Sequence, residues 1–219
     1  MELLQSMIPN KVKNKQKWII DEHNKTFSRW LKNIILARLG EENNGVSTEL
    51  KRISFGASVH VIKHHAYIVG GKRFHTKSRD DARMVQNSGV SIVAEAMHFA
   101  SAKDNNPVAG TMAYYGVVKE IWELDYSLFQ SPLLTCSWVD NNVGVRIDEL
   151  GLTLVDLSKK GHKNDPFIMA TQAKQVFYIT DPADDKWSVV LRTPERQFIE
   201  DENDEENDDL FHDNFIVGQ

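Results

Sequence analysis

Between residues 111 and 194 the chain runs through short apolar segments, "YYGVVKEIWELDY", "LLTCSWVD", "GLTLVDL", "QVFYIT" and "WSVVLR", each bounded by Gly, Pro, Asn or Asp. β-Branched and aromatic residues suit a pleated, half-buried surface, and turn formers at these intervals leave no room for a long helix. The pattern predicts a small antiparallel barrel or sandwich, and from strand count and length the architecture expected over residues 111–194 is a barrel of SH3-like or chromo-like type. Alternation in the first segment sets Tyr114, Val118, Trp122 and Tyr126 on one face and Tyr115, Val117 and Ile121 on the other. A strand that is apolar on both faces at its start is expected to be long, bent and buried. A second reading of the same rings is an aromatic cage of Tyr114, Trp122, Tyr126 and Trp138, which would hold a methylated lysine by cation–π attraction.

Upstream, residues 13–39 place Ile20, Phe27, Leu31 and Ile34 at helical spacing, with Trp30 beside them and Gly40 as a stop. This predicts one amphipathic helix, followed by a polar linker over 40–49. Residues 1–49 are thus a helical segment and linker, 50–110 a β-hairpin segment, 111–194 the barrel and 195–219 a tail. In "HHAYIVGGKRFHT", Gly70 and Gly71 tolerate the positive φ of a two-residue turn, which would set Tyr67 opposite Phe74. The fold class expected is α+β, mainly β.

Charge is unevenly distributed. Residues 1–83 carry a balance of +8 and residues 84–219 one of −13, with ten acids and one Arg in residues 195–219. A block of that composition repels itself and has too little apolar surface to offset ordering entropy, so it is expected to be a disordered acidic tail. It is expected to be a solvated solubility tail; the alternative is a competitor for the basic half or a lure for basic partners such as a histone surface, with "LFHDNFIV" as a short docking segment. The basic half contains "GGKRFHTKSRDDAR", where Lys72, Arg73, Lys77 and Arg79 would lie along a phosphate backbone while Phe74 or His75 stacks.

Catalytic signatures are missing: there is no phosphate-cradling Gly-rich loop, nucleophile elbow, CxxC or HExxH. His60, His64, His65 and His75 crowd one hairpin, but His60 and His64 in a strand stand roughly 13 Å apart, too far for one zinc. Asp140, Asp148, Glu149, Asp156 and Asp165 fall at turns, where Asp also simply makes turns. No enzyme activity, metal or cofactor is expected. The lone Cys136 forms no internal disulfide, no secretory leader is legible, and no apolar run approaches the roughly 20 residues of a membrane span. These features point to the nucleus or cytoplasm, with no membrane partner.

Residues 50–194 carry "YIVGGKRFHTKSRD", "QNSGVSIVA", "YYGVVKEIWELDY", "CSWVDNNVGVRIDELGLTLVDL", "DPFIMATQAKQVFYITDP" and "WSVVLRTPER" in consistent order. In these the chain resembles a domain of unknown function from the C-terminal part of plant CACTA (En/Spm-like) transposase-like proteins. Gly70 and Leu152 depart from that pattern, where Asn and Phe are common. The resemblance implies a non-catalytic accessory module that binds DNA or chromatin. The alternative is a protein-interaction scaffold docking on a transposase or host partner.

Overall fold

A computed structural model describes residues 15–41, 45–98, 108–192 and 213–216. These divide into two compact units, one of residues up to 58 with 125–130, the other of 59–124 with 131 onward. No described helix is long and apolar enough to cross a membrane.

The first unit is helical. α1 (Lys15–Arg38) buries Ile35, with Leu31 and Ile34 half-buried, while Phe27 and Trp30 of the expected stripe stay exposed. Its last turn ends as the Leu39 amide donates to Ile35 and the Gly40 amide to Ala37. α2 (Thr48–Phe55) falls where a linker and the start of a β segment were expected. Eight residues are too few to display a helical period. Its local signals are caps: the Ser47 hydroxyl accepts the Leu50 amide at 3.1 Å, and Gly56 leaves the helix at φ 87°. The Lys32 ammonium lies 5.0 Å from the Phe55 ring centroid and joins the two helices.

The second unit is a mainly antiparallel β structure. In chain order its elements are β1 (His60–His64), β2 (Ala66–Val69), β3 (Lys72–His75), α3 (Lys77–Asp81), β4 (Gly89–His98), β5 (Val108–Asp125), β6 (Gln130–Trp138), β7 (Val145–Ile147), β8 (Thr153–Val155), β9 (Phe167–Met169), β10 (Lys174–Thr180), β11 (Ser188–Arg192) and β12 (Asp213–Ile216). β2 and β3 form the expected hairpin with Tyr67 opposite Phe74, and Gly70 and Gly71 turn it at φ 53° and 70°. The Tyr67 hydroxyl donates to Glu123 of β5 at 2.9 Å, which ties the hairpin to the large sheet. Burial, and then the Glu123 carboxylate, push the Tyr67 phenol up to about 12.

The large sheet runs β12-β1-β5-β4-β10-β11-β8-β7, with β6 paired to β5 and β9. It does not close, which corrects the expectation of a barrel. Closure would require the end strands β12 and β7 to pair, and among the described residues they do not: β12 pairs with β1, from His60↔Ile216 to Lys63↔Asp213, and β7 with β8. The tail expected over 195–219 lies outside the described residues except for β12.

β5 is the spine. β4 pairs with it from Gly89↔Val117 to His98↔Val108, and β1 takes over from His64↔Ile121 to Val61↔Leu124. The change of neighbour shifts the alternation by one. Val118 and Ile121 both enter a core with Phe74, Val90, Leu134, Trp138 and Ile168. Tyr115 and Val117 enter a second core with Val139, Val155, Val176 and Tyr178. The sequence pattern set Ile121 with Tyr115, and the slip between Val118 and Ile121 corrects this. Each fully buried Val, Ile, Leu or Phe contributes roughly 1.5–3 kcal/mol, so apolar character on both faces of β5 reflects two cores.

Two glycines permit this packing. A Cβ on Gly89 would stand 2.1 Å from the Val176 carbonyl oxygen, and one on Gly116 2.8 Å from the Trp138 indole. Gly89→Ala is therefore expected to destabilise the protein by the upper end of about 1–3 kcal/mol in denaturant unfolding. Gly40→Ala, whose Cβ would meet ordinary contacts, should stay within about 0.5 kcal/mol. Equal stabilities for the two variants would contradict this packing.

Candidate nucleic-acid interface

The basic hairpin set is only partly brought to the surface. Lys72, Arg73 and Arg79 are half-buried, and Lys77 is exposed and ion-paired with Asp81. Phe74 is 1% exposed and His75 4%, so neither ring offers a face to a base. This corrects the expected stacking role. Both rings serve the fold: Phe74 sits in the first core, and His75 Nδ1 lies 3.0 Å from Asp80 Oδ1. Asp80 Oδ2 accepts the amides of Asn87 at 2.9 Å and Ser88 at 2.7 Å, while Gln175 Nε2 donates to the Arg73 carbonyl at 2.7 Å. A buried carboxylate thus ties α3 to the start of β4. Burial pushes the His75 pKa below 6.5, with Arg79 and Arg73 acting in the same direction and Asp80 opposing them.

The four cage candidates do not form a cage. Trp138 is 4% exposed, within the first core. Tyr126 stacks on Phe129 at 5.1 Å, and both belong to the first unit. Trp122 has the Lys63 ammonium 5.4 Å from its centroid and Phe167 in tilted contact, also at 5.4 Å. Tyr114 meets His162 edge-on at 5.0 Å. The rings left to solvent are therefore the partners, His162 and Phe167, the latter 42% exposed.

Both lie on the segment "DLSKKGHKNDPF", residues 156–167, a loop whose last residue, Phe167, is the first of β9 and pairs with Thr135 of β6. Asp156, 1% exposed, starts it: its Oδ1 accepts the Ser158 amide at 2.9 Å and the Ser158 hydroxyl at 2.5 Å, and Lys186 stands 3.8 Å from Oδ2. The Ser158 bonds hold the Asp156 carboxyl below the usual carboxylate range. The loop then runs along β6 and the residues just beyond it through three backbone hydrogen bonds. The Asp140 amide donates to Lys159 at 2.8 Å, the Gly161 amide to Trp138 at 3.0 Å, and the Cys136 amide to Pro166 at 2.7 Å. A Cβ on Gly161 would lie 2.8 Å from Asp140 Cα, so only glycine fits there. His162 follows at φ 49°, left-handed backbone that few non-glycine residues adopt, and the Asp165 amide closes on its carbonyl at 3.1 Å.

Between this loop and β5 lies a groove of about 440 Å³, lined by Lys119, Trp122, Trp138, Lys160, Lys163 and Phe167 among others. Lys119, Lys160 and Lys163 are exposed. Glu120, the acid in the groove, accepts Lys63 Nζ on one oxygen and Trp122 Nε1 on the other, both at 2.9 Å. Burial raises its pKa, but the bonds from Lys63 and Trp122 and the nearby lysine charges outweigh it and hold the carboxyl below the ordinary value. The Lys160 pKa is lowered by burial and by the like charges of Lys119 and Lys77, against Asp156. The groove rim thus carries three exposed cations, with its lining acid already engaged by Lys63 and Trp122.

The groove residues Lys119, Lys160, His162, Lys163 and Phe167 were not among those expected to bind, because the cations of the hairpin stretch "GGKRFHTKSRDDAR" interleave with Phe74 and His75 in the sequence. The signal was present in "KKGHKNDPF", with three lysines, one histidine and one Phe in nine residues. The carboxylates weighed for metal chemistry make turns instead: Asp140 accepts the Asn142 amide and Asp148 those of Leu150 and Leu152. Among the described residues no group of three or more His, Cys, Asp or Glu could hold a metal ion.

The His75 shift has a sign that can be measured. With a folded pKa below 6.5, the unfolded state binds more protons as pH falls past 6.5. Stability is full above that value and declines below it. The thermal midpoint of the wild type should fall between pH 7 and 5 more steeply than that of His75→Gln. Parallel profiles would contradict a neutral buried His75.

Comparison with known proteins adds one family and no function. No curated protein and no solved structure matches the chain. Residues 122–190, from Trp122 of β5 to Val190 of β11 and including the whole 156–167 loop, match the family model described as Domain of unknown function (DUF4216).

Proposed function

We propose that the chain is a non-catalytic nucleic-acid-binding module, an accessory part of a plant transposon-derived, CACTA transposase-like protein that works on DNA or chromatin in the nucleus. The observation that carries the binding is the groove where Lys119, Lys160 and Lys163 surround aromatic side chains on a loop pinned to β6. Three exposed lysines on one surface neutralise the phosphates of a polyanion, which releases its own counterions as it binds. The one acid in the groove is engaged by Lys63 and Trp122. The transposon setting rests on the sequence resemblance across residues 50–194, and the nuclear location on that setting.

A second reading, a protein-interaction scaffold, is favoured by the first unit. There Phe27, Trp30, Leu36, Ile53 and Phe55 are each 39–51% exposed. Such residues would favour self-association or docking that is insensitive to salt.

Fluorescence anisotropy of labelled oligonucleotides across a salt series tests the main reading. Log affinity should fall linearly with log salt. The Lys119→Gln, Lys160→Gln, Lys163→Gln triple variant should lower the slope by about 2–3, at roughly 0.7–0.9 per phosphate contact. Neutralising Lys72 and Arg73 should change it less. No binding at low salt, or a slope unchanged by the triple variant, would contradict the assignment.

A further inference from the structure

A duplex keeps the faces of its bases inside the stack and presents only their edges in its grooves, where it is read by an inserted helix or β-ribbon. An unpaired strand presents ring faces, which aromatic side chains can stack on whatever the base. The two kinds of target therefore need different surfaces.

The two-stranded β2–β3 ribbon of the second unit is fastened to the sheet through Tyr67 and Glu123 and buries Phe74 and His75, so these rings are not available to a groove. Among its described residues the one α-helix is α3, five residues long, with buried Asp80 bonded into the fold. The unit does present other rings. His162 on the loop and Phe167 where the loop enters β9 are exposed, five positions apart, and each rests against a ring of β5: His162 on Tyr114 at 5.0 Å and Phe167 on Trp122 at 5.4 Å. Their backing fixes them. Tyr114 packs against the first core, and Trp122 is held by its bond to Glu120 and by the Lys63 ammonium. The loop backbone between them is bonded to β6 on both sides, at Gly161 and at Pro166. Rings immobilised before binding lose little entropy on stacking. Lys160 stands two positions before His162 and Lys163 one after it, Asp165 lies between Lys163 and Phe167, and Lys119 lines the same groove from β5, so cations and rings share one surface.

We infer that the 156–167 loop is a stacking platform for single-stranded nucleic acid, with His162 and Phe167 each taking the face of an unpaired base and Lys119, Lys160 and Lys163 the adjoining phosphates. This rests on the nucleic-acid reading above and narrows it to one class of target.

The full chain is titrated at low salt with a labelled 20-nucleotide DNA strand, the RNA strand of the same sequence, and the corresponding 20-base-pair DNA duplex. One or both single strands should bind at least about tenfold tighter than the duplex. RNA tighter than DNA would add a 2′-hydroxyl contact, and the reverse would assign the platform to DNA; either supports the inference. His162→Ala and Phe167→Leu should each weaken single-strand binding about 5- to 100-fold, the range for loss of one base–aromatic stack, and leave duplex binding within about twofold. Phe167→Tyr should retain wild-type affinity, and unchanged thermal midpoints keep folding out of the comparison. Duplex binding as tight as single-strand binding would overturn the inference while leaving the nucleic-acid reading intact. So would ring variants without effect beside a lysine triple variant that loses binding. Failure of all three probes to bind would remove both.

Discussion

At the crossing of β4, β5, β6 and β10, backbone and rings approach too closely to admit a side chain. Gly89 lies under the Val176 carbonyl and the Tyr178 ring, and Gly116 under the Trp138 indole. The Tyr178 hydroxyl, buried between them, donates to the Gly116 carbonyl at 2.8 Å with the Val90 carbonyl 3.3 Å away. Burial pushes this phenol up, so it remains a neutral donor at any physiological pH. A hydroxyl satisfied in this way joins two strands at a point where an unpaired polar group would cost about 1–3 kcal/mol.

From this crossing the rest of the second unit can be traced. β5 exchanges β4 for β1 along its length and keeps β6 as a partner, so it feeds both cores. With Trp138 locked over Gly116, β6 is a fixed rail, and the 156–167 loop is bonded to that rail rather than left to solvent. The order of dependence runs from two glycines to a packed indole, from the indole to a rigid strand, and from the strand to two exposed rings. Binding surfaces carried by loops are effective when the scaffold beneath them is rigid, and that condition is met here.

What could be read from the sequence was local. The Gly70–Gly71 turn fixed the hairpin register because only residues tolerating positive φ close it in two positions, and Tyr67 faces Phe74 as alternation requires. The segments ending at Trp138, Thr180 and Arg192 are strands because β-branched and aromatic residues fill them. What failed was long-range. Strand count does not say whether the end strands of a sheet meet, and β5 draws β1 and β4, from outside residues 111–194, into an open sheet. The alternation along β5 could not foresee a slip set by its neighbours. In the site, charge and ring content identified a basic stretch but not its burial: Phe74 and His75 look like a stacking motif beside four cations, yet they point inward to Val90 and Asp80. Many positions in the family-like motifs, among them Asn87, Ser88, Gly89, Gly116 and Tyr178, turn out to serve this internal bonding.

The most direct measurement of where a ligand sits is photochemical cross-linking of a 4-thiothymidine-substituted single strand to the full chain, followed by mass spectrometry of the linked peptides. The account predicts adducts on His162 and Phe167 or their immediate neighbours in 156–167. Adducts confined to residues 72–79 or to the helices of the first unit would contradict it.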